Sequence, residues 1–145
     1  MTICLLDVNV LLALAWPQHV HHGPAHDWFR QSGSKAWATC PITQLAFIRI
    51  SSNPKIIADA VNPRSARELL QRIVALPNHA FWPDDVSPIA AQTLDLTALA
   101  GHRQVMAAYL LALAERHRGA LATFDRGIAE LAGQASAHRV VLVES

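Results

Sequence analysis

Two carboxylates follow apolar runs in distant parts of the chain. Asp7 closes a run near the N-terminus and is followed two residues later by the amide of Asn9, whereas Asp125 closes a later run that includes Thr123. If both runs are neighbouring parallel strands, the two acids meet at one edge of the sheet, where α/β proteins collect functional groups. Two close carboxylates repel each other unless a proton or a cation lies between them. Mg²⁺, a hard cation bound by a few carboxylates and several waters, suits such a pair.

Each acid also has a structural interpretation. Asp7 and Asp125 both stand directly before a helical pattern, and aspartate is a favoured residue at the N-cap of a helix. By position alone, capping and chemistry are both open for each acid. The occurrence of two such acids favours a functional site, because two acids that each follow a strand are expected to converge.

The elements that position these acids alternate along the whole chain. Short apolar runs typical of buried strands are separated by helical patterns. The predicted strands cover residues 3–6, 36–40, 80–82, 120–124 and 139–143. The predicted helices cover residues 8–15, 24–31, 42–51, 88–100, 101–116 and 126–132. A further helix is predicted to begin at residues 62–63, and its apolar stripe extends to Leu76. This order predicts the α/β class, as a single α/β/α sandwich with a mostly parallel central sheet across residues 1–145.

Composition limits the classes of function. The chain has 145 residues, of which 52% are hydrophobic, enough for the core of one domain. Its net charge of +1 excludes a broad basic field, so any contact with nucleic acid must come from a local patch. Cys4 and Cys40 lie within apolar runs and are expected to be buried free thiols. No Lys or Arg precedes Arg30, which argues against a signal sequence and predicts a cytoplasmic protein that contacts no membrane.

Four motifs occur in an order that resembles a known family. They are LLDVNVLLAL, the PITQLAFIRI segment followed by Ser52, Asn53 and Pro54, the GHRQV helix, and ATFDRG. The set is similar to the PIN-domain ribonucleases, and most of all to the VapC toxins of bacterial toxin–antitoxin pairs. The resemblance implies a PIN fold, endonucleolytic cleavage of RNA dependent on Mg²⁺ or Mn²⁺, and inhibition by a cognate VapB-like antitoxin. It also implies a homodimer, formed by the apolar helices between Ile42 and Leu76.

The family's site residues transfer unevenly to this chain. The first and last acids of the family match Asp7 and Asp125, and Asn9 and Thr123 are expected to orient water or ligands beside them. The family often has Glu where this chain has Gln44, whose neutral amide can orient water but brings no charge.

The third acid of the family falls on the GHRQV helix, usually as an Asp followed by Ala and Tyr. Ala107 occupies that position here, and a methyl group cannot bind a metal ion. The resemblance therefore implies a cation site that lacks one ligand, and an enzyme that is impaired or inactive through Ala107. The alternative is a non-catalytic PIN-like module that binds antitoxin or RNA without cleaving it.

Four cations are candidates for contacts with RNA phosphates or antitoxin carboxylates. They are Arg49, Lys55, Arg103 and Arg116. Each of them also has the simpler interpretation of a solvated surface charge.

Other patterns favour chemistry less. The histidines of HVHHGPAH lack a second ligand pair for a closed zinc site, and Asp84 with Asp85 precedes a helical pattern that it is expected to cap. A phosphoacceptor signalling domain would require a lysine at the end of a late strand, but the two lysines are Lys35 and Lys55. The aromatic residues, including Trp37 and Trp82, are expected to pack in the core or at a dimer interface.

Overall fold

Five parallel strands form one sheet in the computed structural model, which describes residues 1–90, 99, 101–134 and 136–144, and only the backbone of Arg103. The strands are β1 (Cys4–Leu6), β2 (Trp37–Thr39), β3 (His79–Phe81), β4 (Ala120–Thr123) and β5 (Val140–Leu142). Their order across the sheet is β3-β2-β1-β4-β5, and every neighbouring pair is parallel. The predicted parallel sheet is confirmed.

Six α-helices follow or connect these strands in the described residues. They are α1 (Val8–Ala15), α2 (His22–Gln31), α3 (Pro41–Ser51), α4 (Pro63–Val74), α5 (Val105–Arg116) and α6 (Arg126–Ala132). Local chemistry fixes several of their starts. Proline stands at the first position of α3 and α4, where its missing N–H costs nothing, and Asn62 caps α4 by accepting the Ser65 N–H.

Several element bounds differ by one or two residues from the sequence predictions, and three predictions differ by more. Residues 88–90 form a turn rather than the start of a helix, and residues 91–98 and 100 of the helix predicted there lie outside the described residues. Leu76, predicted to end the apolar stripe of α4, follows that helix and is 47% exposed. The helix predicted from Gly101 begins as a short 3₁₀ turn and becomes α-helical only at Val105.

The sheet separates two apolar layers. Successive strand residues point to opposite faces, so Cys4 and Leu6 pack with α1 and Phe47 of α3, whereas Leu5 packs with α5 and Ile128 of α6. The central strands β1, β2 and β4 are buried along their whole length. This arrangement is the predicted α/β/α sandwich, with both faces of the parallel sheet covered.

Gly119 allows β4 to approach β1. A Cβ atom at this position would collide with the carbonyl oxygen of Ile3 and lie 2.5 Å from the ring of Trp82, so only glycine fits. The next residue, Ala120, donates its N–H to the same Ile3 carbonyl at 3.0 Å. This close approach sets the register that brings the carboxyl ends of β1 and β4 together.

Among the described residues, no helix has both the length and the apolar character needed to cross a membrane.

Candidate active site

The two acids predicted to converge follow neighbouring strands. Leu6 of β1 pairs with Ala122 of β4, and the Asp7 N–H donates to the Ala122 carbonyl at 2.9 Å. Asp7 and Asp125 therefore follow the sheet at the same edge and line one cavity. The convergence predicted from the sequence is confirmed.

Thr123 connects the two acids through one buried hydroxyl. Its Oγ1 donates to Asp7 Oδ2 at 2.8 Å, accepts the Asp125 N–H at 3.1 Å, and accepts Asn9 Nδ2 at 3.3 Å. Asn9 also accepts the Phe124 N–H at 3.4 Å. Thr123 is fully buried and its hydrogen-bonding capacity is used, so it holds the acids rather than a free water.

A cavity of about 230 Å³ lies beside these acids. Its wall is mostly apolar. The lining residues are Asp7, Val8, Ile42, Thr43, Ala46, Arg49, Ile50, Met106, Ala107, Leu110, Asp125 and Ile128. Ala107, half-buried in the first turns of α5, thus faces the same cavity as Asp7 and Asp125. The position at which the resemblance implies a third acid therefore lines the cavity of the other two acids.

The electrostatics of the cavity disfavour the ionised form of Asp7. Burial raises the pKa of its carboxyl, and the nearby charge of Asp125 adds to that rise. Hydrogen bonds from Thr123 and the Val8 N–H act in the opposite direction. Neither acid forms an ion pair with any residue that the structure describes. The two acids therefore lie close together in one cavity without a cationic side chain paired to either of them.

Both acids also act as helix caps, which confirms the structural interpretation of the sequence. Asp7 precedes α1 and accepts the Val8 N–H at 2.7 Å, and Asp125 precedes α6 and accepts the Gly127 N–H at 2.8 Å. These bonds use one carboxylate oxygen of each acid. The second oxygen of Asp7 receives the Thr123 hydroxyl.

Gln44 belongs to a different cluster. Its Nε2 donates to Thr39 Oγ1 at 3.0 Å, and the same hydroxyl lies 2.7 Å from His79 Nε2. Gln44 is absent from the residues that line the carboxylate cavity. Its neighbour Thr43 does line the cavity, and sequence reasoning missed it as a wall residue. The sequence pattern around Thr43 indicates only a local role at the start of a helix. Thr43 Oγ1 accepts the Cys40 N–H at 3.1 Å and so caps the N-terminus of α3.

His79 should make stability depend on pH. Burial lowers the pKa of its imidazole below the ordinary 6.5, so between the folded-state pKa and 6.5 the unfolded chain binds more protons. The free energy of unfolding should therefore decrease as pH falls through that window. We expect His79→Gln to flatten this dependence in urea unfolding measured over a pH series. His102→Gln, at an exposed position, is the control, and an unchanged slope in His79→Gln would contradict the assignment.

The four candidate cations occupy different places. Arg49 lines the carboxylate cavity. Lys55 is exposed in the turn after α3, and the side chain of Arg103 lies outside the described residues. Arg116 lies 3.6 Å from Asp85. It follows Ala107 by nine residues and is therefore about 13 Å further along α5. Of the three side chains that are described, only that of Arg49 reaches the cavity.

One histidine of the HVHHGPAH segment, His21, makes a contact near Asp125 that the sequence did not predict. His22 and His26 bond to the carbonyls of Ala13 and Leu14, at 2.7 and 2.9 Å. The ring of His21 instead stacks on Phe124, with 4.6 Å between ring centroids and 19° between planes. The loop between α1 and α2 is thereby packed against the turn that carries Asp125, a contact that no local pattern in the sequence indicates.

Comparison with known proteins defines the class of this fold and site. The family model described as PIN domain matches residues 4–134. A chain from a solved structure described as FitAB bound to an IR36 DNA fragment has the same fold, with a TM-score of 0.63 and 21% sequence identity over 97% of this chain and 94% of that one. The chain belongs to the PIN-domain family.

More similar relatives define the group within that family. Ribonuclease VapC39 of Mycobacterium tuberculosis is 47% identical over 128 residues, which cover 88% of this chain and 92% of the relative. Ribonuclease VapC38 of the same species is 43% identical over 132 residues, which cover 91% and 92% of the two chains. The resemblance to VapC proteins stated from the motifs is confirmed.

Proposed function

We propose that this chain is the toxin of a VapBC-type pair, an endoribonuclease that hydrolyses RNA phosphodiester bonds with Mg²⁺ or Mn²⁺ held at Asp7 and Asp125. The relatives named as VapC ribonucleases support the activity. The observation that carries the proposal is the shared cavity of Asp7, Asp125 and Ala107. Because Ala107 supplies no ligand, we propose that the cation binds weakly and that the present chain is impaired.

The donor set suits a hard divalent cation only in part. Asp7 is buried and Asp125 lies beside it without a neutralising side chain, and Mg²⁺ is often bound by one or two carboxylates plus waters. Within the described ranges, however, no group of three His, Cys, Asp or Glu side chains converges on one point. The residues fit a cation held by two carboxylates and lacking a third.

The division of roles follows from the contacts. A bound Mg²⁺ would lower the pKa of a bound water and neutralise charge on the phosphate oxygens. Asp7 and Asp125 would hold that ion. Thr123 fixes the direction of the Asp7 carboxylate, and Asn9 fixes the backbone at Phe124. Ala107 also lines the cavity and would supply no ligand.

A second function is favoured by Ala107. Ala107 lines the cavity where the family usually has an acid, so the cavity carries less negative charge than the family pattern. A non-catalytic module that binds antitoxin or RNA is consistent with that loss. The two functions differ in one measurable property, which is RNA turnover in the presence of a divalent cation.

A cation titration tests the proposal. We expect Mg²⁺ and Mn²⁺ to raise the unfolding temperature of the chain, because a ligand that binds only the folded state stabilises it, and to support slow cleavage of RNA. Asp125→Asn is the matched control, since it removes charge but keeps a side chain that can cap α6. Stabilisation without RNA turnover would favour the non-catalytic module. The absence of both effects would overturn the cation site.

The proposed partners are RNA and a VapB-like antitoxin. We also propose a homodimer, in agreement with the resemblance. An apolar groove of about 570 Å³ lies on α3 and the start of α4, and Leu45, Ile48 and Pro63 line it. Leu45 is 66% exposed and belongs to this continuous apolar surface, and such surfaces are typical of protein interaction sites.

Replacing Leu45 tests the dimer. We expect Leu45→Arg to convert a dimer into monomers, because a charged side chain would be desolvated at an apolar interface. Light scattering after size-exclusion chromatography measures the change. Val20→Arg is the control, as Val20 is 83% exposed and lies outside the groove. A parent chain that is monomeric at every concentration would contradict the dimer.

A further inference from the structure

Arg49 is the positively charged side chain on the wall of the carboxylate cavity. It lies on α3, is exposed, and lines the same cavity as Asp7 and Asp125. No other Lys or Arg appears among the described residues that line this cavity. The guanidinium forms no ion pair with any side chain in the described part of the chain.

Neither acid pairs with Arg49, and each acid has hydrogen bonds of its own. Asp7 receives the Thr123 hydroxyl and the Val8 N–H, and Asp125 receives the Gly127 N–H. The five N–H donors of the guanidinium thus remain open to a ligand that enters the cavity from solvent. An arginine in this state is suited to an anion that can accept two parallel hydrogen bonds.

The position of Arg49 also relates two different surfaces. The apolar groove on α3 shares Ile42, Ala46, Arg49 and Met106 with the carboxylate cavity. Arg49 therefore lies at the boundary between the groove that we propose is covered in the dimer and the cavity that Asp7 and Asp125 line.

We propose that Arg49 binds a backbone phosphate of single-stranded RNA, adjacent in the strand to the phosphate that is cleaved at Asp7 and Asp125. The proposal rests on the proposed ribonuclease function and adds a binding residue to it. RNA suits the arrangement better than an acidic peptide because the proposed ribonuclease function already brings one RNA phosphate to the acids, and the next phosphate follows one nucleotide along the backbone. One phosphate can occupy the guanidinium while the next lies at a cation held by the acids. The contact itself requires no cation.

Binding measured without a divalent cation tests this proposal. Fluorescence anisotropy of a fluorescein-labelled single-stranded RNA oligonucleotide of mixed sequence, in EDTA, reports affinity for the full-length chain over a series of salt concentrations. We expect Arg49→Ala to weaken binding about tenfold, the value of one charge-assisted contact. The slope of log affinity against log salt should also fall by about 0.7, as for one phosphate contact on a single strand.

Two further variants identify the cause of the change. Arg49→Lys should keep the salt slope, because the charge remains, and lose part of the affinity, because the planar fork is gone. Arg72→Ala removes an exposed charge on α4 from a residue that lines neither the cavity nor the groove, and it should leave both readouts near those of the parent. Thermal unfolding of each variant controls for loss of fold.

The outcomes separate the proposal from the function on which it rests. If the parent binds RNA and Arg49→Ala binds it with the same affinity and slope, the role of Arg49 is wrong while the ribonuclease function stands. An equal loss in Arg72→Ala, or a loss of binding to an Asp- and Glu-rich peptide but not to RNA, also overturns it. If the parent binds no RNA at all, the proposed function and the role of Arg49 fall together.

Discussion

Replacing Ala107 by aspartate should raise the rate of Mg²⁺-dependent RNA cleavage on the order of 100-fold, since even partners one step removed from a metal change activity by factors of 10 to 100. The new carboxylate would enter the cavity that Asp7 and Asp125 already line. It would add one charge and one oxygen donor where the wall now carries a methyl group. Gel analysis of end-labelled RNA, with Mg²⁺ and with EDTA, measures the rate.

Ala107→Asn separates charge from size in this experiment. Asparagine has nearly the shape of aspartate but adds no charge, so it should restore little of the rate. In EDTA, Ala107→Asp should also unfold at a lower temperature than the parent, because a third acid is added where burial and Asp125 already raise the pKa of Asp7. Mg²⁺ should reverse that loss. Equal cleavage by the parent and Ala107→Asp would mean that the position has no role in catalysis.

Thr123→Val should reduce the free energy of unfolding by about 1 to 3 kcal/mol, the cost of leaving buried polar groups without partners. Valine has nearly the same shape as threonine, so packing of β4 is preserved while the hydroxyl is lost. Asp7 Oδ2 would lose its donor, and the Asp125 N–H and the Asn9 amide would lose their acceptor. The pKa of Asp7 should rise further, because the Thr123 hydrogen bond now lowers it.

Urea unfolding of Thr123→Val and Thr123→Ser measures this effect. Serine keeps the hydroxyl and loses a methyl group, so it reports the packing cost alone. We expect Thr123→Ser to lie close to the parent and Thr123→Val to lie well below it. If the two variants are equally stable, the hydroxyl does not hold the acids, and the connection between Asp7 and Asp125 must come from the backbone.

The order of elements could be predicted because burial leaves a local pattern. The central strands are buried on both faces and are therefore continuous apolar runs, as at Cys4–Leu6 and Ala120–Thr123. The ends of strands leave a weaker pattern in the sequence. The strand predicted at residues 80–82 lies at His79–Phe81, near the edge of the sheet, where burial is partial and the apolar signal is weaker.

The site was predictable to the extent that it follows from the sheet. Asp7 and Asp125 could be brought together in advance because each ends a strand and parallel strands share an edge. Gln44 and Arg49 differ in this respect. Both residues lie on α3. The packing of α3 against the sheet decides which of them lines the cavity, and no local sequence pattern predicts that packing. Ala107 was identified only through the family resemblance, as alanine carries no chemistry of its own.

The Thr123 hydroxyl has a consequence for how such a protein changes over generations. It holds the two acids in position with hydrogen bonds from the chain itself, so the shape of the site does not depend on a third acid. An alanine codon and an aspartate codon can differ at the middle base alone. On the role that we propose for Ala107, one base substitution at its codon would be enough to remove or restore activity, with no repacking of the scaffold.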